Sequence, residues 1–145
     1  MANTLLDAIL AVQDIVGRVE GIRNAPEYAS DNVPPGIWSM AYPDTGTFTQ
    51  DPQGVLKGLH NIGLLVFAPR VSLRQTLKQL IPLGDKVAAA LEKEPTLLDT
   101  ISTYGGLSYT FQMEVNVGTE ASPAYATGWA FVINNVKIQD ETALA

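Results

Sequence analysis

Leu107, Tyr109, Phe111, Met113, Val115 and Val117 alternate with Ser108, Thr110, Gln112, Glu114 and Asn116, the two-residue period of a strand with one apolar face. After a loop over residues 118–123, the return arm places Tyr125, Thr127, Trp129, Phe131 and Ile133 on one face and Ala124, Ala126, Gly128 and Ala130 on the other. A long antiparallel pair of this kind needs a partner layer for its apolar face, which restricts the chain to folds built around a half-covered sheet. Its small-residue face can lie close against something flat. The period breaks where Val136 and Ile138 replace the odd-numbered positions, so Asn134 and Asn135 read as a β-bulge.

Upstream, Leu5, Ile9, Val12, Val16 and Val19 recur at helical spacing, with Asn3 as the expected N-cap and Gly21 as the expected end. Residues 22–36 contain Pro26, Pro34 and Pro35 and read as a connection. Residues 37–42 and 46–50 read as two strands of a projecting hairpin around the turn Pro43-Asp44-Thr45. Residues 55–67 form a third strand whose end is apolar on both faces, the mark of a central position. Ser72 and Gln75 have capping-box spacing before a helical stripe through Leu73, Leu77, Leu80 and Ile81 that resumes at Val87 and Leu91. Pro82 interrupts it and predicts a kink or a break into two helices, and Pro95 closes the element. The order favours one α+β domain over residues 1–145: a mostly antiparallel twisted sheet, two main helices on one face, and a polar tail at 139–145. Two helices do not cover two faces of a sheet rich in Tyr, Trp and Phe.

Composition bears on that uncovered surface. Charged residues are 17% of the 145 and apolar residues 46%, against about 25% charged in ordinary soluble domains. Interfaces between subunits are depleted in charge, so the deficit points to a homo-oligomer, the alternative being a neutral surface of Ser, Thr, Asn and Gln. The net charge of −6 argues against nonspecific nucleic-acid binding over the whole surface. Cysteine is absent, which excludes disulfides and thiolate metal sites. The N-terminal apolar residues are interrupted by Asp7, Gln13 and Asp14 and read as neither a signal peptide nor a membrane span.

Catalytic readings find little support in the residues. His60 is the single histidine and stands in a strand without a neighbouring carboxylate, which suits a packed side chain better than a ligand or base. No serine lies in a nucleophile-elbow pattern. Asp7 with Asp14, and Glu92 with Glu94, read as solvated helix edges. Gly105-Gly106 is not followed by a helix, so a phosphate cradle is not supported. Arg70, Arg74 and Lys78 recur every four residues, a cationic stripe that is either solvent-facing or a contact to an acidic neighbour or to passing nucleic acid. The expectation is no enzyme activity, no cofactor and no metal. The competing reading is a small-molecule pocket lined by Trp38, Tyr42, His60 and Trp129.

The N-terminal helix, the linker IRNAPEYASDNVPP, the strand LHNIGLLVFAPR leading into SLRQTLKQLIPLGDKVAAALEKEPTL, and the closing pair SYTFQMEVNV and AYATGWAFVINNVKI together resemble the tail-terminator, or tail-completion, proteins of long-tailed bacteriophages. The likeness is one of element order, length and local texture over nearly the whole chain. It implies a small α/β subunit of the virion, assembled in the host cytoplasm into a ring, usually a hexamer. That ring caps the finished tail tube and joins it to the head, and DNA passes through its lumen without sequence-specific binding. The implied partners are copies of the chain itself, the tail-tube protein and a head-completion or connector protein; no membrane is involved. A connector on the portal side is the alternative position. Candidate subunit or tube contacts are Trp38, Tyr42, Asp44, Phe48, Arg70, Arg74, Lys78, Glu120 and Trp129.

Overall fold

The computed structural model describes residues 3–23, 36–50, 52–54, 56–69, 73–118, 120–121 and 123–138. Helix α1 spans Leu5–Gly17, strand β1 Trp38–Gln50, β2 Leu56–Pro69, helix α2 Leu73–Glu92, and strands β3, β4 and β5 Ile101–Thr103, Gly106–Asn116 and Tyr125–Ile138. All pairings are antiparallel. β2 lies between β1 and β5, and the other side of β5 is shared by β4 along most of its length and by β3 at its end. The fold is α+β with a five-stranded sheet.

Helix α1 starts one residue later than its sequence implies. Thr4, not Asn3, is the N-cap: its hydroxyl accepts the Asp7 N–H at 3.4 Å and the Asp7 carboxylate accepts the Thr4 N–H at 2.7 Å, a reciprocal capping box. The helix ends at Gly17, and Gly21, with φ at +106°, sits in the exit turn beyond it. Ala8, Val12, Ile15 and Val16 are buried.

Helix α2 is one helix with Pro82 inside it, so of the two expected outcomes, a kink or a break, the break is not found. Proline deletes the bond to the Lys78 carbonyl, a residue exposed to water, while Leu80, Leu83 and Val87 are buried on either side. Packing of that stripe outweighs a local cost of about 3 kcal/mol. The Trp129 indole N–H of β5 also donates to the Leu80 carbonyl at 2.8 Å, tying the helix to the sheet two residues before the proline. At the other end, the Tyr104 hydroxyl donates to the Leu91 carbonyl at 3.1 Å. Ser72, the expected cap, lies outside the described residues, as do the proline-rich stretch 24–35 and the tail 139–145.

One apolar core joins both helices to the inward side of the sheet: Ala41 of β1, Ile62, Leu64 and Val66 of β2, Phe131, Ile133, Val136 and Ile138 of β5. The helices do not form a plain double layer over that face. α2 lies against β2 and β5, whereas α1 lies against β1 and reaches its edge. There the buried Gln13 amide donates to the Ser39 carbonyl at 3.1 Å and accepts the Ala41 N–H at 2.8 Å, taking the place of a neighbouring strand. The opposite face carries a second, smaller cluster of Trp38, Phe67 and Ala126, with Met40, Leu65, Val115 and Val117 packed on it.

The hairpin expected within residues 37–50 is instead a single strand. β1 continues through Pro43 and Asp44 and pairs with β2 along its whole length, from Trp38 opposite Phe67 to Gln50 opposite Leu56. The residues read as a turn form a bulge, in which Asp44 and Thr45 stand opposite Asn61 alone. β5 bulges at the same level: Asn134 and Asn135 also stand opposite Asn61, and Asn135 has φ at +56°. This second bulge is where the broken period places it.

Candidate assembly surfaces

Beyond the paired bulges the sheet narrows to two strands. The last β2 pairing with β5 is His60 with Val136, so residues 56–59 of β2 pair with β1 alone. Residues 43–50 of β1 are exposed throughout. A projecting arm therefore exists, but it is made of the end of β1 and the start of β2. It carries Phe48, 54% exposed, and Leu59, 47% exposed. Thr47 and Leu59 face each other across the ladder, as do Phe48 and Gly58, so Phe48 and Leu59 point to opposite sides. The Phe48 ring meets buried His60 edge-on at 5.1 Å.

At the other margin of the sheet, Tyr109, Phe111, Trp129 and Phe131 form an aromatic group on the helix side. Trp129 stacks on Phe131 at 5.4 Å and is met edge-on by Tyr109 at 4.9 Å and by Phe111 at 5.1 Å. Gly84 of α2 lies directly over the Trp129 ring, where a Cβ would collide with it. Tyr109, in the marginal strand β4, remains 63% exposed. A register shift between Gln112 and Val115 sets Met113 and Glu114 against Thr127 alone, and the buried Thr127 hydroxyl donates to the Met113 carbonyl at 2.8 Å. Val115 and Val117 consequently join the outer cluster and do not continue the face of Tyr109 and Phe111, contrary to the unbroken alternation of the sequence.

The outer face is uncharged across the body of the sheet. Register places there Trp38, Met40 and Tyr42 of β1, Gly63, Leu65 and Phe67 of β2, Gly128, Ala130 and Val132 of β5, and Ser108, Thr110 and Gln112 of β4. Part of the small-residue face is already occupied from within the chain. Phe67 lies over Gly128 and Tyr42 over Gly63, each leaving no room for a Cβ. An aromatic ring laid over a facing glycine is a device that fixes cross-strand register.

The candidate contacts divide by location. Asp44, Phe48, Arg74, Lys78 and Glu120 are exposed; Arg74 and Lys78 are four apart on α2 and Glu120 lies in the loop between β4 and β5. Arg70 lies outside the described residues. Trp38 is 3% exposed and packs edge-on against Phe67 at 5.4 Å, so it belongs to the outer core and offers no surface. Trp129 is half-buried beneath α2, and Tyr42 is half-buried over Gly63. Burial, aided by Asp44, raises the Tyr42 phenol above its usual value.

The four residues of the competing pocket do not converge. Trp38 and Tyr42 are on the outer face, whereas His60 and Trp129 are on the helix side. A groove of about 400 Å³ does run between the ends of α1 and α2, lined by Ile15, Arg18, Val19, Lys86, Lys93 and Leu98 among others, and includes none of the four. Among the described residues no three His, Cys, Asp or Glu side chains are grouped to hold a metal ion, and no helix is long and apolar enough to cross a membrane.

Sequence reasoning missed Gln13 and Asn61. The first had a visible signal, a lone amide on the stripe of Ile9, Val12 and Val16, since a polar side chain on a buried face needs a bonded partner. Compared with known protein-family models and with curated proteins, the chain matches none.

Proposed function

We propose that this chain is a structural subunit of a long-tailed phage virion, that its copies close into a ring, a hexamer as in the family it resembles, and that the ring caps the tail tube and presents the head-joining surface. The observation that carries the reading is the presence of exposed apolar groups at two separate margins of one sheet. Phe48 and Leu59 stand on the arm at the β1 end, and Tyr109, Met113 and Tyr125 stand on the β4 and β5 end. A ring with cyclic symmetry needs two different patches per subunit, each meeting the other on the next copy. The phage context comes from the resemblance to tail-terminator proteins in element order, length and local texture. The mechanism is binding energy alone: each copy buries apolar surface on its neighbours, and the completed rim blocks further addition of tube subunits.

Electron microscopy of particles assembled without this chain tests the reading. Overlong or headless tails are expected. Filled heads without tails would move the protein to the portal side as a connector, and normal virions would contradict both positions.

A further inference from the structure

The two margins of the sheet differ in how their backbone is covered. At the start of β1, the Arg23 N–H bonds the Ile37 carbonyl at 2.9 Å, and Gln13 takes the Ser39 carbonyl and the Ala41 N–H. Residues 37, 39 and 41 therefore point their backbone groups away from β2, and there the edge is closed. Past the bulge no described residue bonds to it. Leu59 shares the alternation of Leu65 and Gly63, which bond towards β1, so Thr47 faces inward and Gly46 and Phe48 point their N–H and carbonyl groups out of the sheet.

The same alternation carries across to the far margin. Ser39 and Ala41 face Val66 and Leu64, which bond onward to Trp129 and Phe131. Ala130 and Val132 are then the β5 residues that bond to Thr110 and Ser108, leaving Leu107, Tyr109 and Phe111 with outward backbone groups. Among the described residues, no strand pairs with this side of β4 or with the outer side of the arm.

Between the bulge of each strand and its far end, residues 45–50 and 106–112 contain no charge and no proline, two of the devices that blunt exposed strands. Each edge instead presents an exposed aromatic at an outward-bonding position, Phe48 on one and Tyr109 on the other. Both side chains stand on the helix side, edge-on to His60 and Trp129 respectively. Direction also matches. Strands alternate in the order β1, β2, β5, β4, so a copy repeated side by side sets its β1 antiparallel to β4 of the first.

We infer that these edges are mates: the distal half of β1 of one copy adds as an antiparallel strand to β4 of the next, with Phe48 and Tyr109 on a shared face. The inference rests on the ring reading and names its closing contact. The occupant is a second copy because the complementary edge, free, uncharged and of the right direction, is carried by the chain itself. Each addition leaves one edge of each kind open until the ring closes.

Proline at an outward position deletes an intermolecular donor and spares the ladder inside the chain. Sedimentation velocity of the full chain, alone and with tail-tube protein, is compared for wild type, Phe48→Pro, Tyr109→Pro and an equimolar mixture of the two. Wild type is expected to assemble and each variant to stay monomeric. The mixture should stop at a dimer, because one variant keeps its β4 edge and the other its arm. Variants that assemble like wild type, or a mixture of folded variants that stays monomeric, overturn the edge contact and leave the ring reading standing. A wild type that never assembles, even with tubes, overturns both. If a proline variant does not fold, hydrogen exchange of the wild type decides. The Gly46, Phe48, Tyr109 and Phe111 amides should slow by about tenfold or more on assembly, and unchanged rates overturn the contact.

Discussion

The side-chain carbonyl of Asn61 accepts the backbone N–H of Asn135 at 3.1 Å, while its amide donates to the Thr45 hydroxyl at 2.9 Å. One residue of the central strand thereby holds a bulge on each neighbouring strand, at the level where the sheet gives way to the arm. Asn61→Ala removes both bonds and is expected to destabilise the fold by about 1–3 kcal/mol. Thr45→Ala, which removes one exposed partner, should cost less. Urea unfolding of the two variants checks the order, and equal costs would show that Asn61 does not couple the bulges.

The glycines beneath aromatic rings make a paired prediction. At Gly128 an added methyl meets the Val66 carbonyl as well as Phe67, whereas at Gly63 the three atoms nearest to it all belong to the Tyr42 ring. A backbone atom in a central strand does not move aside, but a half-exposed tyrosine does. Gly128→Ala should therefore cost more than Gly63→Ala, whose loss should lie within the usual overpacking range of about 1–3 kcal/mol. Tyr42→Ala should relieve the second and leave the first unchanged. Denaturant midpoints of the single and double variants measure this.

Gln13 closes the protected half of the β1 edge from the middle of α1. Gln13→Ala leaves the Ser39 carbonyl and the Ala41 N–H without their partner, at a cost on the order of 2–4 kcal/mol for the two groups. It should also lengthen the open edge and raise aggregation, read by light scattering during thermal unfolding. Loss of stability without increased scattering would confine Gln13 to a packing role.

The alkaline limb of the stability profile reports Tyr104. Burial, then the nearby Glu92 carboxylate, raises its phenol above the ordinary value of 10.0. A raised folded-state pKa favours the protonated, folded form. Its contribution is fully present below the unfolded pKa and lost as pH rises through the higher folded value. Tyr42 shifts in the same direction, by burial first and Asp44 second. Stability should fall above about pH 10, less steeply in Tyr104→Phe. Urea midpoints across that range show it, and identical slopes would contradict it.

The hairpin of β4 and β5 and its bulge at Asn134 and Asn135 were legible because side chains write both a period of two and its break. The course of β1 was not. Pro43, Asp44, Thr45 and Gly46 suit a turn and a bulge equally, and Asn61, 16 positions from Thr45 on another strand, is the partner that joins the bulge to the sheet. The shift at Met113 and Glu114 was hidden for a related reason: apolar residues continue at odd positions through Val117, while Val115 and Val117 have changed face. Exposure of Phe48 was anticipated from a projecting hairpin. Exposure of Tyr109 depends on β4 being the margin of the sheet, which strand order decides and local pattern does not.

The central claim is that identical copies cover one another's sheet margins in a closed ring. Native mass measurement of the purified chain over a concentration series, alone and with tail-tube protein, tests it most directly. One discrete, closed multiple of the 15.6 kDa subunit is the predicted result; a monomer at every concentration, with tubes as without, would contradict it.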